Sequence, residues 1–420
     1  MIKFLKNYIL LSLLLLSNIL YSQESTSSPY SRFGLGDLSS QFSPVFNSLG
    51  GGDGGAVYSD KIINPYSPAT YTVFKPNSFL FSTGLSHNMI NINSISENQI
   101  VNNTSLSHII FACPLSDKIG ASAGLIPFSS IGYNLNSRDQ MYNADMLYSG
   151  DGGISKVYLG GALKIHDNFS VGINASYLFG GLNRRKKLEF DDETIFNSRS
   201  NSLINLKGIY YELGAIYSKE IESSNANLTL AVNTSNNTEI SAKRSNLVET
   251  FEYSGVYELV KDTFLNTVEN GNMILPKYTN FGVTYSKDQW LFIGDYSVQN
   301  WSDYELLGET DSLENSTRIS SGLQYTPDIN SVASFYKTCH YRIGVSLFTT
   351  PLQINNIQLE DKSISFGIGI PMKKNKSTYD LSIVLGQRGT NSNNLLKEQY
   401  IRFGFSMSFE GIWFVKQKYN

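Results

Sequence analysis

The chain has 420 residues, of which only 16% are charged, while 34 are Gly, 26 Tyr and 24 Phe. A water-soluble globule of this length usually carries nearer to ~25% charge, so the composition points away from one and towards strands with glycine and aromatic girdles. The net charge of −3 becomes −5 without Lys3 and Lys6, and neither value suits a nucleic-acid partner.

In chain order, Lys3 and Lys6 precede an apolar run from Tyr8 to Leu20, which gives way to Ser22 and Gln23. A short apolar core behind a basic leader is the pattern of a secretory signal peptide; a spanning helix needs about 20 residues. Residues 1–22 are therefore expected to be cleaved after Ser22, the alternative being a buried N-terminal helix. No Cys follows the run, which argues against an acylated start.

Residues 23–76 are rich in Gly, Ser and Pro and do not alternate. Within them SLGGGDGG (48–55) contains Gly50-x-Gly52-x-x-Gly55, the spacing of a dinucleotide-binding turn. That motif needs a strand before it, a helix after it and an acid about twenty residues on. QFSPVFNS precedes it and AVYSDKIINPYSPATY follows, so the context rejects nucleotide binding. The other reading is positional. A chain folded back inside a closed barrel needs turns with φ > 0 and close backbone approach, which glycine supplies. Residues 23–76 are thus expected to form an N-terminal hatch, or plug.

From residue 77 the pattern changes. In NFSVGINASYLFG (168–180), Phe169, Val171, Ile173, Ala175, Tyr177 and Phe179 fall on one side and Ser170, Gly172, Asn174 and Ser176 on the other. The same period recurs at 340–348, 363–370 and 401–409. The polar side is Gly, Ser and Asn with an occasional Arg, which suits a narrow lumen, and the apolar side is large and aromatic, which suits lipid. Fourteen strands are expected, at 77–95, 104–115, 118–130, 155–166, 168–180, 203–220, 226–241, 276–287, 289–300, 316–326, 340–348, 362–370, 377–387 and 399–410. Connections alternate between short periplasmic turns and long external loops, the longest at 131–154 and 242–275; Pro327 to Cys339 is too long for its side. An open edge in hydrocarbon would leave backbone groups unpaired, so the sheet closes. The fold class is all-β, a transmembrane antiparallel barrel of about 14 strands over 77–415 with an N-terminal hatch and a periplasmic tail at 416–420.

Candidate chemistry is sparse. His87, His108, His166 and His340 show no metal-like spacing, no Ser-His-Asp group can be assembled, and no cofactor or enzymatic activity is expected. Alternation puts Arg318, Arg342 and Arg402 on the lumen side, where guanidinium groups either hold a fatty carboxylate bidentately or pair with acids such as Asp380 and hatch carbonyls. RRKK (184–187) reads as a charge run in an external loop. Trp290 and Trp413 suit interfacial aromatic belts. Cys113 and Cys339 read as two inert thiols, with a disulfide as the alternative.

LGGGDGGAVYSDKIINPYSPATY (49–71) resembles the N-terminal region of FadL-type long-chain fatty-acid transporters, where glycines run into an Asn-Pro-Ala motif; here Asn64-Pro65 is present, with Tyr66 in place of Ala. SPYSRFGLGDL (28–38), YRIGVSLFTTPL (341–352), GIGIP (367–371), GQRGT (386–390) and WFVKQKY (413–419) resemble FadL-like barrels of Bacteroidota. The resemblance implies a bacterial outer-membrane barrel of fourteen strands around a hatch built on Gly50, Gly52, Gly55, Asn64 and Pro65. It also implies passive uptake of hydrophobic small molecules, with membrane lipid and hydrophobic ligands as partners. Because the resemblance extends to the type IX secretion component PorV, the alternative is a non-transporting accessory subunit of an outer-membrane complex, in type IX secretion or barrel assembly, with other outer-membrane proteins as partners.

Overall fold

The computed structural model describes residues 28–39, 43–51, 59–94, 97–311, 313–332, 334–372 and 377–412. The proposed signal peptide, the tail and Trp413 lie outside them.

Fourteen antiparallel strands form the closed barrel. They are β1 (Ser78–Asn93), β2 (Asn98–Pro114), β3 (Ile119–Asp139), β4 (Ala144–His166), β5 (Phe169–Phe190), β6 (Asn197–Ile221) and β7 (Ala226–Ser235 continued by Thr238–Ser254). Then follow β8 (Tyr257–Leu275 continued by Tyr278–Lys287), β9 (Trp290–Gln299), β10 (Ser316–Tyr325), β11 (His340–Ile354), β12 (Ile357–Met372), β13 (Ser377–Gly389) and β14 (Lys397–Ile412). β14 pairs with β1 from Lys397↔Asn93 to Ile412↔Ser78 and closes the cylinder.

The two-residue period decides which side chain meets which solvent. On β5, Phe169, Ile173, Tyr177 and Phe179 are exposed on the outer wall, while Ser170, Asn174 and Ser176 are buried within. On β14, Ile401, Phe403 and Phe405 face out and Ser406 faces in. Such a band is stable only against acyl chains, and the protein is an outer-membrane protein. Trp290 packs against Tyr325 with ring centroids 4.4 Å apart and planes tilted by 34°, beside the Asp288 turn.

The wall differs from the expected one in height. Residues 131–154 and 242–275 are not loops: they are the upper parts of the β3–β4 and β7–β8 hairpins. Ladder pairing continues there because no lipid boundary is needed for it, and pattern-reading tuned to the apolar band stops where that band stops. RRKK (184–187) is likewise part of β5, paired with β4 and β6. The 327–339 connection carries one helical turn, Phe335–Thr338. Cys113 and Cys339 are free thiols.

Candidate functional site

The N-terminal segment lies against the inner wall, and glycines on both sides let it do so. Pro44–Asn47 forms a helical turn whose cap, Ser43, accepts from the Val45 amide at 3.4 Å. Ser48 to Gly50 then cross Gly367, Gly344 and Gly322 of β12, β11 and β10. A Cβ on Gly344 would sit 2.0 Å from the Gly50 nitrogen, and one on Gly322 2.5 Å from the Leu49 carbonyl oxygen. Gly50 itself has φ +93°, and its own Cβ would meet the Val345 carbonyl oxygen at 2.6 Å. Neither the dihedral nor the space admits another residue. Gly52 and Gly55 lie outside the described residues.

On the far side, the turn Pro68–Val73 rests on Gly120, Gly160, Gly172 and Gly214, one from each of β3 to β6. Asn64 is fully buried and its Oδ1 accepts from the Tyr66 amide at 3.1 Å, fixing the Asn-Pro turn. Asn174 Nδ2 donates to the Pro65 carbonyl at 2.6 Å and Asn174 Oδ1 accepts from the Tyr71 hydroxyl at 3.1 Å.

The three arginines have three environments. Arg318 donates to the Gly51 carbonyl at 3.0 Å and lies 4.1 Å over the Phe348 ring. Arg342 is paired with Asp380 at 2.6 Å, both side chains 3% exposed, and also donates to Gln324. Arg402 donates to Asn88 Oδ1 at 2.7 Å and sits by Tyr400. Arg318 and Arg402 border one cavity of about 250 Å³. Arg342 is not among its lining residues.

Arg388 also lines that cavity and was missed from the sequence. It bonds Asp37 at 2.7 Å, Glu398 at 2.6 Å and Ser28 Oγ at 2.7 Å, tying the N-terminal segment to β13 and β14. Its parity with Asp380 along β13 was the available signal. Two further links were also unforeseen: Arg184 of β5 donates to the Gly34 carbonyl at 2.6 Å, and buried Lys156 pairs with Glu212 at 2.9 Å.

The wall has a seam. β2 pairs with β3 only from Ile109↔Leu125 to Pro114↔Gly120. Beyond that point Pro127, which has no N–H to give, lies at a bulge in the pairing with β4. The freed edge of β3 is taken by the N-terminal segment instead: Asp37↔Ser130 and Leu38↔Ser129 pair, and Ser39 N donates to the Phe128 carbonyl at 2.9 Å. The 250 Å³ cavity is lined by Asn103, Ser105, Leu106 and Pro127 at the seam, by Arg402 two strands from it, and by Arg318 and Phe348 of β10 and β11. A smaller cavity of about 100 Å³, bordered by Tyr66, Phe128 and Lys156, shares Leu38, Arg318 and Phe348 with the first.

This architecture has known counterparts. A family model described as BamG matches residues 1–420. The chain belongs to the BamG family. Solved structures place this BamG-family barrel among FadL-type folds. The Ralstonia pickettii toluene transporter TbuX matches with 14% identity over 88% of this chain and 98% of that one, at a TM-score of 0.58. The Pseudomonas putida toluene transporter TodX matches with 14% identity over 88% and 97%, at 0.56. A Pseudomonas aeruginosa FadL homologue matches with 11% identity over 83% and 93%, at 0.54. No curated protein matches the chain.

Proposed function

We propose that this BamG-family barrel is a passive outer-membrane channel for small hydrophobic molecules. The N-terminal segment acts as its hatch, and the seam between β2 and β3 as the exit into the membrane. The observation that carries this reading is the continuity of one cavity from the lumen to a stretch of wall where strand pairing has stopped. An apolar solute leaving there enters the bilayer without crossing the aqueous periplasm. About 250 Å³ exceeds the ~150 Å³ dry cavity that holds benzene and falls short of typical drug-sized pockets of ~300–1,000 Å³. The cargo is therefore a compact molecule, on the scale of the toluene named for two of the similar barrels. Arg318 and Arg342 serve as hatch-pinning and wall-pinning groups, since each is engaged by a carbonyl or an acid.

Initial uptake of labelled toluene by cells carrying the protein in an otherwise tight outer membrane tests this. Ser105→Trp, at the seam, should lower the rate at least tenfold with folding unchanged. Uptake equal to that of cells without the barrel would overturn the reading. An accessory role in an outer-membrane complex is the second reading, favoured by the height of the β7–β8 hairpin above the membrane band.

A further inference from the structure

The upper part of β8, Tyr257–Leu275, pairs along one edge with the upper part of β7. On its other edge, pairing is confined to Met273↔Leu306 and Ile274↔Glu305. Among the described residues nothing pairs with that edge from Tyr257 to Asn270. The strand is also exposed on both faces, with Phe264 68% and Val268 54% exposed beside Leu259, Val260 and Leu265.

Lipid does not account for these side chains. The lower piece of β8, Tyr278–Lys287, has 10 residues, which at ~3.3 Å per residue and the usual tilt already cross the ~25 Å apolar band. The 19-residue upper piece projects beyond it. A long, exposed, apolar edge in water is a template for strand pairing, and natural proteins cover it or blunt it with charges or bulges. The two bulges of this strand lie at Lys261 and Phe264, and below them the register runs unbroken from Leu265 to Leu275. Blunting by charge is reduced here, because most charges of the strand are held by partners: Lys261 pairs with Glu252, Glu258 with Lys187 and Arg199, and Glu269 with Arg244, while Asp262 accepts from the Thr263 amide.

We propose that the free edge of β8 is a cell-surface docking site for an extended, apolar, largely uncharged strand donated by another protein. The edge already takes a strand in this way at its base, where Glu305–Leu306 adds antiparallel to it and Leu307 N donates to the Asn272 carbonyl at 2.9 Å. The partner strand continues that line upwards. A second copy does not fit. The membrane holds all copies the same way up, so two β8 edges cannot meet antiparallel, and a parallel meeting of identical edges would break two-fold symmetry. This inference is independent of the channel reading.

The Asn272 bond fixes which backbone groups point outward: in an unbroken strand they alternate, so those of Asn270, Val268 and Asn266 face the open edge and that of Thr267 faces β7. Amide hydrogen exchange at these residues is compared between the purified protein in detergent and isolated native outer membranes. Asn266, Val268 and Asn270 should exchange at least tenfold more slowly in the membranes, with Thr267 similar in both. Val268→Pro removes an outward N–H alone, and should abolish the membrane-dependent protection of Asn266 and Asn270 while Thr267 stays protected. A photo-cross-linker at position 270 should join a different protein in the wild type and not in the Val268→Pro chain. Equal exchange rates, an adduct of two copies of this chain, or protection that survives the proline with no protein adduct would overturn the proposal.

Discussion

Gly344 shows most sharply how single residues set the interior. A Cβ there would lie 2.0 Å from the Gly50 nitrogen and 2.4 Å from the Leu49 carbonyl carbon, backbone atoms with no flexible side chain to yield. Gly344→Ala should therefore cost about 1–3 kcal/mol, seen as a lower urea midpoint for barrel unfolding. Arg388 carries the opposite risk. Arg388→Met strands Asp37 and Glu398, and losing one partner of a buried pair costs ~3–5 kcal/mol. Replacing all three, with Asp37→Asn and Glu398→Gln added, should restore most of that loss in the same urea titration. The inward-facing arginines of β10, β11 and β14 were legible because parity alone assigns a side. An acid such as Asp380 and a carbonyl of the N-terminal segment were legible as partners too. Which arginine takes which, and Asn88 for Arg402, were not, since closure of the barrel and entry of the segment bring them together.

Among the elements, the strands that cross lipid were legible and the strands above it were not. Val345 and Ile364 sit in clean alternation with Gly344 and Ser365, so β11 and β12 announce themselves. The upper β7–β8 hairpin mixes Leu259, Val260 and Phe264 with Glu258, Lys261 and Asp262, and without a lipid-facing side its period blurs. What holds its tip to the rest is partly electrostatic. Lys187 and then Arg199 hydrogen-bond the Glu258 carboxylate and hold it below the usual range for Glu. Because the folded value is depressed, that stabilisation is present above the ordinary glutamate pKa of ~4.3 and is lost as pH falls through the lower folded value. Amides near Tyr253 and Glu258 should thus lose exchange protection below about pH 4.3 before the membrane-embedded ladders do, and Glu258→Gln should remove the pH dependence. Because the network is partly exposed, raising salt should weaken it as well.

At the scale of the whole molecule, the seam is the feature that a strand count conceals. Fourteen strands close the cylinder, yet β2 and β3 part above Ile109 and the N-terminal segment pairs with β3 instead. One segment thus lies against the inner wall and also pairs with part of it, and the cavity borders both places. The glycines were legible as positions of close backbone approach, whereas Pro127 fell inside the expected strand 118–130, and nothing local could say that Asp37 and Leu38 would take the vacated edge. The most direct measurement is a crystal structure of the protein soaked with an iodinated aromatic of toluene size, located by its anomalous signal. Iodine is expected between Phe348 and the seam residues Ser105 and Pro127. Iodine found only on the outer wall, with none inside the barrel, would contradict it.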